Sequence, residues 1–199
     1  MDSIRCLDIV FAFVGSIILF PLFLVIALLV KITSAGPIFF KQVRVGKNNQ
    51  DFKLFKFRTM QVNAESKGQL TVGGKDNRIT TIGYYLRKFK LDELPQLLNV
   101  LLGNMSLVGP RPEVRKYVNF YTTEQMNVLQ VLPGITDHAS ILFRNENELL
   151  EKAENPEQYY IQVIMPKKIE LNQRFINERT VKNYFSILFA TIITSIKGK

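Results

Sequence analysis

Residues 9–30 read IVFAFVGSIILFPLFLVIALLV, an uncharged and largely apolar run of 22 residues with Pro21 near its centre. A straight helix rises about 1.5 Å per residue, so a run of this length matches a hydrocarbon core about 30 Å thick. Pro21 lacks a backbone N–H and crowds the carbonyl of Ile17, which predicts a bend at this point. The run is therefore predicted to be a membrane helix with a kink at Pro21.

The residues of the run leave two topologies open. The chain can span the bilayer as a kinked helix, because such kinks are tolerated in spanning helices. It can also enter one leaflet, turn at Pro21 and leave on the same side, since each half reaches about half the hydrocarbon depth. The following basic residues predict that the rest of the chain is cytoplasmic, and they argue against a secretory signal. They are Lys31, Lys41, Arg44 and Lys47.

Length and cysteine content bound the organisation. The 199 residues suffice for a membrane segment at 1–34 and one domain of ordinary size at 35–199. Cys6 is the only cysteine, so an internal disulfide is excluded and a reducing compartment is expected.

Positive charge is concentrated after the membrane run. The formal net charge is +9, and residues 31–116 hold 16 Lys and Arg against 6 Asp and Glu. A basic face beside a membrane attracts anionic head groups and polyanionic substrates. The sequence has no helix-turn-helix, zinc-finger or RNA-recognition signature, so nucleic acid is not an expected partner.

Local patterns predict an α+β fold that is mostly helical and contains a small β-hairpin. Turn residues separate the elements, and the last helix is apolar enough to lie on a membrane interface or to dock on the core. The predicted strands are 38–45 and 52–60, with a turn at 46–49. A polar loop containing Gly68, Gly73 and Gly74 is predicted over 63–77, and a stiff loop over 106–113. The predicted helices are 84–89, 92–102, 113–121, 146–160 with a break at Asn155-Pro156, and 180–196.

The second strand has a basic face. Side chains alternate along a strand, so Phe55 and Phe57 point to one side and Lys56 and Arg58 to the other. A hairpin with a solvated basic face is the common explanation of such a pattern.

Asp92 and Glu93 are the candidate chemical groups. They open a predicted helix in LDELPQL (91–97), with Asp92 as the N-cap and Pro95 in the first turn. The helix dipole favours the ionised carboxylates, and ordinary capping is the simplest explanation of the pair. His138, the only histidine, is expected to be structural.

Cations around the acidic pair favour phosphate chemistry. Guanidinium groups bind phosphate oxygens in bidentate fashion, and a carboxylate can attack phosphorus or hold Mg²⁺. The ion would reduce repulsion between a carboxylate and a diphosphate. The cations are Lys56, Arg58, Arg87, Lys88, Lys90 and Arg111, the last between two prolines.

Three motifs follow the apolar run in a specific order. They are KFRTM (56–60), LRKFKLDELPQLLNVLLGNMSLVGPRPE (86–113) and PGIT (133–136). In this order they resemble the small monotopic phosphoglycosyl transferases of bacteria, often called bacterial sugar transferases. The resemblance covers residues 1 to about 145.

The resemblance implies an activity and a location. Such enzymes transfer a sugar 1-phosphate from a UDP-sugar to a polyprenyl phosphate, usually undecaprenyl phosphate, and release UMP. This is the first membrane step of bacterial polysaccharide and glycoconjugate synthesis. The implied location is the cytoplasmic face of the inner membrane, with a re-entrant helix, interfacial amphipathic helices and membrane lipids as partners. A homodimer is left open.

The resemblance also implies residue roles. Asp92 becomes the nucleophile, forms a phosphosugar ester and contacts Mg²⁺, while Glu93 assists in metal or proton handling. The implied phosphate contacts are Lys56, Arg58, Arg87, Arg111 and Arg144.

Two departures limit what the resemblance implies. The family commonly has serine before the kinking proline, whereas this chain has Phe20, and residues 137–145 diverge from the family pattern. The sugar is therefore not identified. The alternative from another functional class is a non-catalytic scaffold that binds anionic lipids through its basic segment.

Overall fold

The computed structural model describes residues 3–64 and 76–196, so most of the loop predicted at 63–77, including its three glycines, lies outside the described residues. The first elements are helix α1 (Ser3–Thr33), strands β1 (Phe39–Val45) and β2 (Asp51–Phe57), helix α2 (Thr81–Lys88), helix α3 (Gln96–Leu101) and strand β3 (Ser106–Val108). They are followed by α4 (Arg115–Val118), β4 (Gly134–Thr136), α5 (His138–Leu142), α6 (Glu146–Glu151), α7 (Pro156–Tyr159), α8 (Met165–Asn177) and α9 (Val181–Ile196). The predicted helical fold with a small hairpin is confirmed.

Helix α1 is 31 residues long and includes Pro21. Among the described residues it is the one helix long and apolar enough to cross a membrane. Its first half packs through Ile4 and Ala12 on a core formed with α3, β3 and α9. Its second half packs through Ile26 and Val30 on a core formed with β2 and α2. Both halves of α1 therefore contact the same globular domain.

The hairpin is antiparallel, with Phe39 opposite Phe57 and Val45 opposite Asp51. Both predicted strands are present, although β2 ends at residue 57 rather than 60. The carboxamide of Asn99 in α3 accepts a hydrogen bond from Phe55 N at 2.9 Å and donates to Lys53 O at 2.8 Å. Asn99 thereby fixes the hairpin against α3.

The segment around the acidic pair differs from its prediction. Thr80 caps α2 by accepting a hydrogen bond from Gly83 N. Lys90 then adopts left-handed backbone angles, with φ of 57°, and a 3₁₀ turn covers Leu91–Glu93. Asp92 lies inside this turn, so its predicted N-cap role is wrong, and α3 begins only at Gln96.

A second, parallel pair of strands joins β3 to β4 in the register Ser106 to Gly134 and Val108 to Thr136. The sequence predicts only a loop and a turn there. The two backbone segments approach so closely that a Cβ on Gly134 would lie 2.1 Å from Gly109 N. Both glycines are therefore required for this contact.

The C-terminal half contains α4 to α9. The predicted break at 155–156 is confirmed, because the Asn155 side chain caps α7 with Pro156 in its first turn. A π-helical stretch, Tyr160–Ile164, leads into α8. The predicted C-terminal helix is confirmed as α9, and its Tyr184 donates a hydrogen bond of 2.9 Å to Asp8 in α1.

Candidate active site

The 3₁₀ turn places Asp92 and Glu93 in the wall of a cavity of about 290 Å³, called the polar cavity below. The hairpin, the loop after β3, and helix α8 contribute its other walls. Six cationic side chains line the polar cavity: Arg44, Lys56, Arg87, Lys90, Arg111 and Lys168. The structure thus brings together both predicted carboxylates and three of the predicted phosphate contacts.

Glu93 lies between two cations. Its Oε1 accepts a hydrogen bond from Lys56 Nζ at 3.0 Å and another from the Arg111 guanidinium. Burial alone would raise the pKa of Glu93, but the positive charges of Arg111 and Lys56 outweigh it and hold this pKa well below its usual value. Glu93 is therefore ionised across the physiological pH range.

For Asp92 the effect of burial outweighs that of the nearby positive charges. Its residue is only 6% exposed, and this burial raises the pKa of its carboxyl group, while the nearby Lys56 charge partly opposes the rise. Neighbouring carboxyls whose pKa values are driven apart are typical of sites where the two groups have different tasks.

Arg111 is fixed by the parallel strand pair. Its backbone N–H donates to Asp137 Oδ2 at 3.0 Å, and its guanidinium donates to Ile135 O at 3.2 Å. Asp137 also caps α5 by accepting from Ser140 N at 2.5 Å. The Glu93 charge raises the pKa of Arg111 further above its ordinary value, so the guanidinium remains charged.

The other predicted cations in the cavity are also positioned by neighbours. Lys56 comes directly after Phe55, whose backbone N–H donates to the Asn99 side chain. Burial lowers the pKa of Lys56, and the negative charge of Glu93 opposes this effect. The Arg87 side chain donates from Nε to Thr59 Oγ1 at 3.0 Å. Lys56 and Arg87 therefore approach the acidic pair from two different elements.

Arg58 and Arg144 lie elsewhere. Arg58 is 4% exposed and caps the C-terminal end of α1, donating to Ser34 O at 2.8 Å and to Ala35 O. The predicted solvated basic face of the hairpin is therefore wrong, since the Lys56 side chain is only 17% exposed. Arg144 donates to Thr194 O in α9.

Sequence reasoning missed a second ionic cluster in the polar cavity. Arg44 donates to Glu113 Oε1 at 3.3 Å and to Pro112 O at 3.1 Å, and the Tyr160 hydroxyl donates to Glu113 Oε2. Glu113 ends the GPRPE motif, which was the available signal for this cluster. Nothing in the local sequence indicated Tyr160.

A larger and mostly apolar cavity of about 580 Å³, called the apolar groove below, lies between α1 and α9. Phe11 and Leu19 line it from α1, and Leu188 and Ile192 from α9. Arg144 lies in its wall. The apolar groove shares three lining residues with the polar cavity, namely Lys90, Glu93 and Arg111. The polar cavity and the apolar groove therefore adjoin at these three charged side chains.

The resemblance described above implies that a Mg²⁺ ion binds at Asp92. No group of three or more His, Cys, Asp or Glu residues suited to a metal occurs in 3–64 and 76–196. Mg²⁺ in phosphate-transfer sites commonly uses only one or two carboxylates, together with substrate phosphate oxygens and water. Asp92 in the cavity wall satisfies that smaller requirement, so the side chains fit the ion.

Comparison with known proteins identifies a family and several relatives. A family model described as bacterial sugar transferase matches residues 3–198. The chain is 43% identical over 141 residues to an Aeromonas hydrophila UDP-N-acetylgalactosamine-undecaprenyl-phosphate N-acetylgalactosaminephosphotransferase, covering 69% of this chain and 33% of the relative. It is 36% identical over 203 residues to an Escherichia coli K12 UDP-glucose:undecaprenyl-phosphate glucose-1-phosphate transferase, covering 98% of this chain and 40% of the relative.

A relative of more similar length is the exopolysaccharide production protein ExoY of Rhizobium meliloti. It is 38% identical over 157 residues, which cover 71% of this chain and 70% of the relative. By contrast, the chain spans only about a third to two fifths of the length of the Aeromonas and Escherichia relatives.

Proposed function

The chain belongs to the bacterial sugar transferase family, and we propose that it transfers a sugar 1-phosphate from a UDP-sugar to undecaprenyl phosphate with release of UMP. The observation that carries this proposal is the pair of carboxylates in a cation-lined cavity that adjoins an apolar groove. A water-soluble diphosphate suits the first space and a polyprenyl chain suits the second. The names of the relatives describe the same type of reaction.

The proposed first step is attack by Asp92. A carboxylate oxygen of Asp92 forms a bond to the phosphorus that carries the sugar, and the bond from that phosphorus to the bridging oxygen breaks. UMP leaves with the electron pair of that bond. The raised pKa of Asp92 is consistent with a carboxylate that is poorly solvated and therefore a better nucleophile.

In the second step a phosphate oxygen of the lipid attacks the same phosphorus and displaces the Asp92 carboxylate. The products are a polyprenyl diphosphate-linked sugar and free enzyme. Arg111 contacts both spaces, so we assign it to hold the phosphate through each transfer. Glu93 keeps Arg111 and Lys56 in place. Bound at Asp92, Mg²⁺ would neutralise charge on the diphosphate.

The covalent intermediate suits a site with two such different substrates. The nucleotide arrives from the cytosol and the lipid from the bilayer, and an intermediate lets them use one phosphorus-binding site in turn. Arg44, Lys56 and Arg87 lie on the polar side, where they would neutralise the diphosphate of the donor.

The packing of α1 supports a re-entrant, monotopic attachment. At one end Asp8 Oδ1 accepts hydrogen bonds from Leu107 N, Ser106 Oγ and the Tyr184 hydroxyl, at 2.9 to 3.0 Å. At the other end Arg58 donates to Val30 O in the last turns of the helix and to Ser34 O directly after it. A helix held at both ends by one domain cannot cross a bilayer unless part of that domain crosses with it. We therefore place the domain at the cytoplasmic face of the inner membrane.

Exposed apolar side chains support the interfacial orientation. Large hydrophobic side chains project from the middle of α1, from α2 and from α9. Such a surface is unfavourable in water and favourable in the head-group region. The exposed residues include Phe13, Ile17, Ile18, Phe20, Tyr84, Tyr85, Phe189, Ile192 and Ile193.

The scaffold alternative is less well supported. A surface that binds anionic lipids works best when its cations face outward and are unopposed. Here Lys56 and Arg111 are paired with Glu93 inside a cavity, and Arg58 is buried against α1. The relatives named above are transferases.

A donor screen tests the proposed reaction. Purified protein in lipid nanodiscs is incubated with undecaprenyl phosphate, Mg²⁺ and each of several UDP-sugars, and UMP is measured. We expect UMP release with at least one donor, dependent on the lipid for multiple turnovers. Absence of UMP with every donor would contradict the proposal and favour the scaffold.

A further inference from the structure

Helix α8 contributes one face to the polar cavity. Met165, Lys168, Ile169 and Asn172 follow the spacing i, i+3, i+4, i+7, and all four line that cavity. Lys168 is held there by Glu146 of α6, with 2.8 Å between Nζ and Oε2, and it lies 5.4 Å from the ring centre of Tyr160. The mechanism above assigns no task to this wall.

Asn172 is the unusual member of this face. It is 6% exposed, and its buried side-chain Oδ1 has no hydrogen-bond partner among residues 3–64 and 76–196. A buried carboxamide oxygen normally has a partner, because an unpaired one is costly. Asn99, the other asparagine of similar burial named above, shows the usual situation, since its side chain both accepts from and donates to backbone groups of β2. Asn172 instead lines the polar cavity with a carboxamide oxygen that no described residue satisfies.

We infer that Asn172 accepts a hydrogen bond from an uncharged donor group of the nucleotide sugar and so contributes to donor selection. This inference rests on the proposed function. A UDP-sugar carries two sources of such a group, namely a hydroxyl or acylamino N–H of the sugar and the imide N–H of uracil. Asn172 lines the same cavity as Asp92 and the cationic side chains. The sugar or the uracil of a donor would therefore contact Asn172 while the diphosphate of that donor lies beside the cations.

The test compares Asn172→Leu and Asn172→Ala with the parent protein. We expect kcat/KM for the preferred UDP-sugar to fall about tenfold, as for loss of one hydrogen bond, while the KM for undecaprenyl phosphate stays the same. The unfolding temperature of Asn172→Leu should be equal or higher, because the replaced oxygen is paired with none of the residues that the structure describes.

Two further readouts separate the sources. If the sugar is recognised, the variants lose discrimination among UDP-sugars and UMP inhibits them as it inhibits the parent. If uracil is recognised, all UDP-sugars lose equally and UMP inhibits about tenfold less. Calorimetric titration with the same UDP-sugars gives their Kd without turnover, so absence of UMP release would count against the proposed function and not against this inference.

The matched control is Asn177→Ala, which changes an exposed asparagine in the last turn of α8. It should leave kinetics and donor affinity unchanged. Donor kcat/KM and Kd within twofold of the parent for both Asn172 variants would overturn the inference. A lower unfolding temperature without any change in donor affinity would also overturn it, because it would indicate a purely structural role.

Discussion

At the scale of single residues, the site depends on two adjacent carboxylates with different surroundings. Glu93 is neutralised by Lys56 and Arg111, whereas Asp92 is buried with weaker compensation. Glu93 is thus a fixed charge paired with two cations, and Asp92 is the group that we propose as the nucleophile.

Asp92→Asn should abolish turnover and stabilise the protein. Loss of a nucleophile is expected to reduce kcat by about 10³-fold or more. The pKa of Asp92 is raised in the folded state, so ionised Asp92 destabilises the fold at pH 7, and asparagine removes that cost. The unfolding temperature at pH 7 should therefore rise, and the difference should shrink as the pH falls toward the ordinary value of 3.8.

The measurements are UMP release and thermal unfolding at several pH values. Asp92→Glu is the matched variant, since it keeps the charge and moves the carboxylate by one methylene, and it should retain little activity. Near-normal UMP release by Asp92→Asn would show that another residue is the nucleophile.

Lys56→Met should shift the pH dependence of the first chemical step. The positive charge of Lys56 lowers the pKa of Asp92, so its removal raises that pKa further and ionised Asp92 is lost at a higher pH. The rate of the first UMP release should therefore have its acidic limb at a higher pH than in the parent protein.

Single-turnover UMP release across the pH range provides this measurement. Lys53→Met is the control, because Lys53 is an exposed lysine on the same strand, and its limb should not move. A limb that stays in place or moves to lower pH in Lys56→Met would contradict the electrostatic assignment.

At the scale of elements, short connections determine where the reactive groups lie. The 3₁₀ turn presents Asp92, the parallel pair β3–β4 fixes Arg111, and Asn99 fixes the hairpin that carries Lys56. Arg58, directly after β2, links the same hairpin to the end of α1 and so connects α1 with the site.

Arg58→Met should loosen the end of α1. The substitution removes hydrogen bonds from a buried charged group to Val30 O in the helix and to Ser34 O and Ala35 O directly after it, which is expected to cost about 2–4 kcal/mol of stability. The apparent unfolding temperature should fall, and hydrogen exchange should increase at residues 30–36.

Lys31→Met is the control for this prediction, because it removes an exposed charge from the last turn of α1. It should change neither quantity. Unchanged exchange at residues 30–36 in Arg58→Met would mean that the cap does not hold the helix end.

The sequence predicts the long and strongly patterned elements well, but it does not predict the short ones. The apolar run, the hairpin and the C-terminal helix have clear periodicity and turn signals, and all three are present. The pair β3–β4 has three residues in each strand and depends on two glycines far apart in the chain, which no local pattern reveals. Helix α8 contributes Asn172 from a stretch beyond the motifs.

Charge patterns were similarly informative only in part. Alternation predicted that Lys56 and Arg58 share one solvated face of the strand, but β2 ends at Phe57 and both side chains are largely buried. Whether a cationic side chain lines a ligand cavity or binds the end of a helix depends on its neighbours in the folded structure. Lys56 lies beside Glu93, whereas Arg58 caps α1.

At the scale of the whole molecule, one domain holds both ends of the apolar helix α1. Asp8 is tied to β3 and α9, and the carbonyls near Val30 are tied to β2. This arrangement predicts that residues on both sides of the apolar run lie on the cytoplasmic side.

Cysteine labelling can test that topology. Cys6, exposed and the only cysteine, precedes the run, and Lys31→Cys in a Cys6→Ser background places one after it. In intact spheroplasts a membrane-impermeant maleimide should label neither position, and permeabilised cells should show labelling of both. Labelling of only one position from outside would contradict the re-entrant form and support a spanning helix.

The central claim is that Asp92 becomes covalently attached to the sugar phosphate between the two transfers. The most direct measurement incubates the purified protein with a UDP-sugar that carries a radiolabel in its sugar, without lipid acceptor, and follows label bound to the denatured polypeptide. We predict that label is bound, that added undecaprenyl phosphate removes it from the native protein, and that Asp92→Asn binds none. If the parent protein turns over donor and lipid yet never retains label, or if Asp92→Asn retains as much, the claim is contradicted.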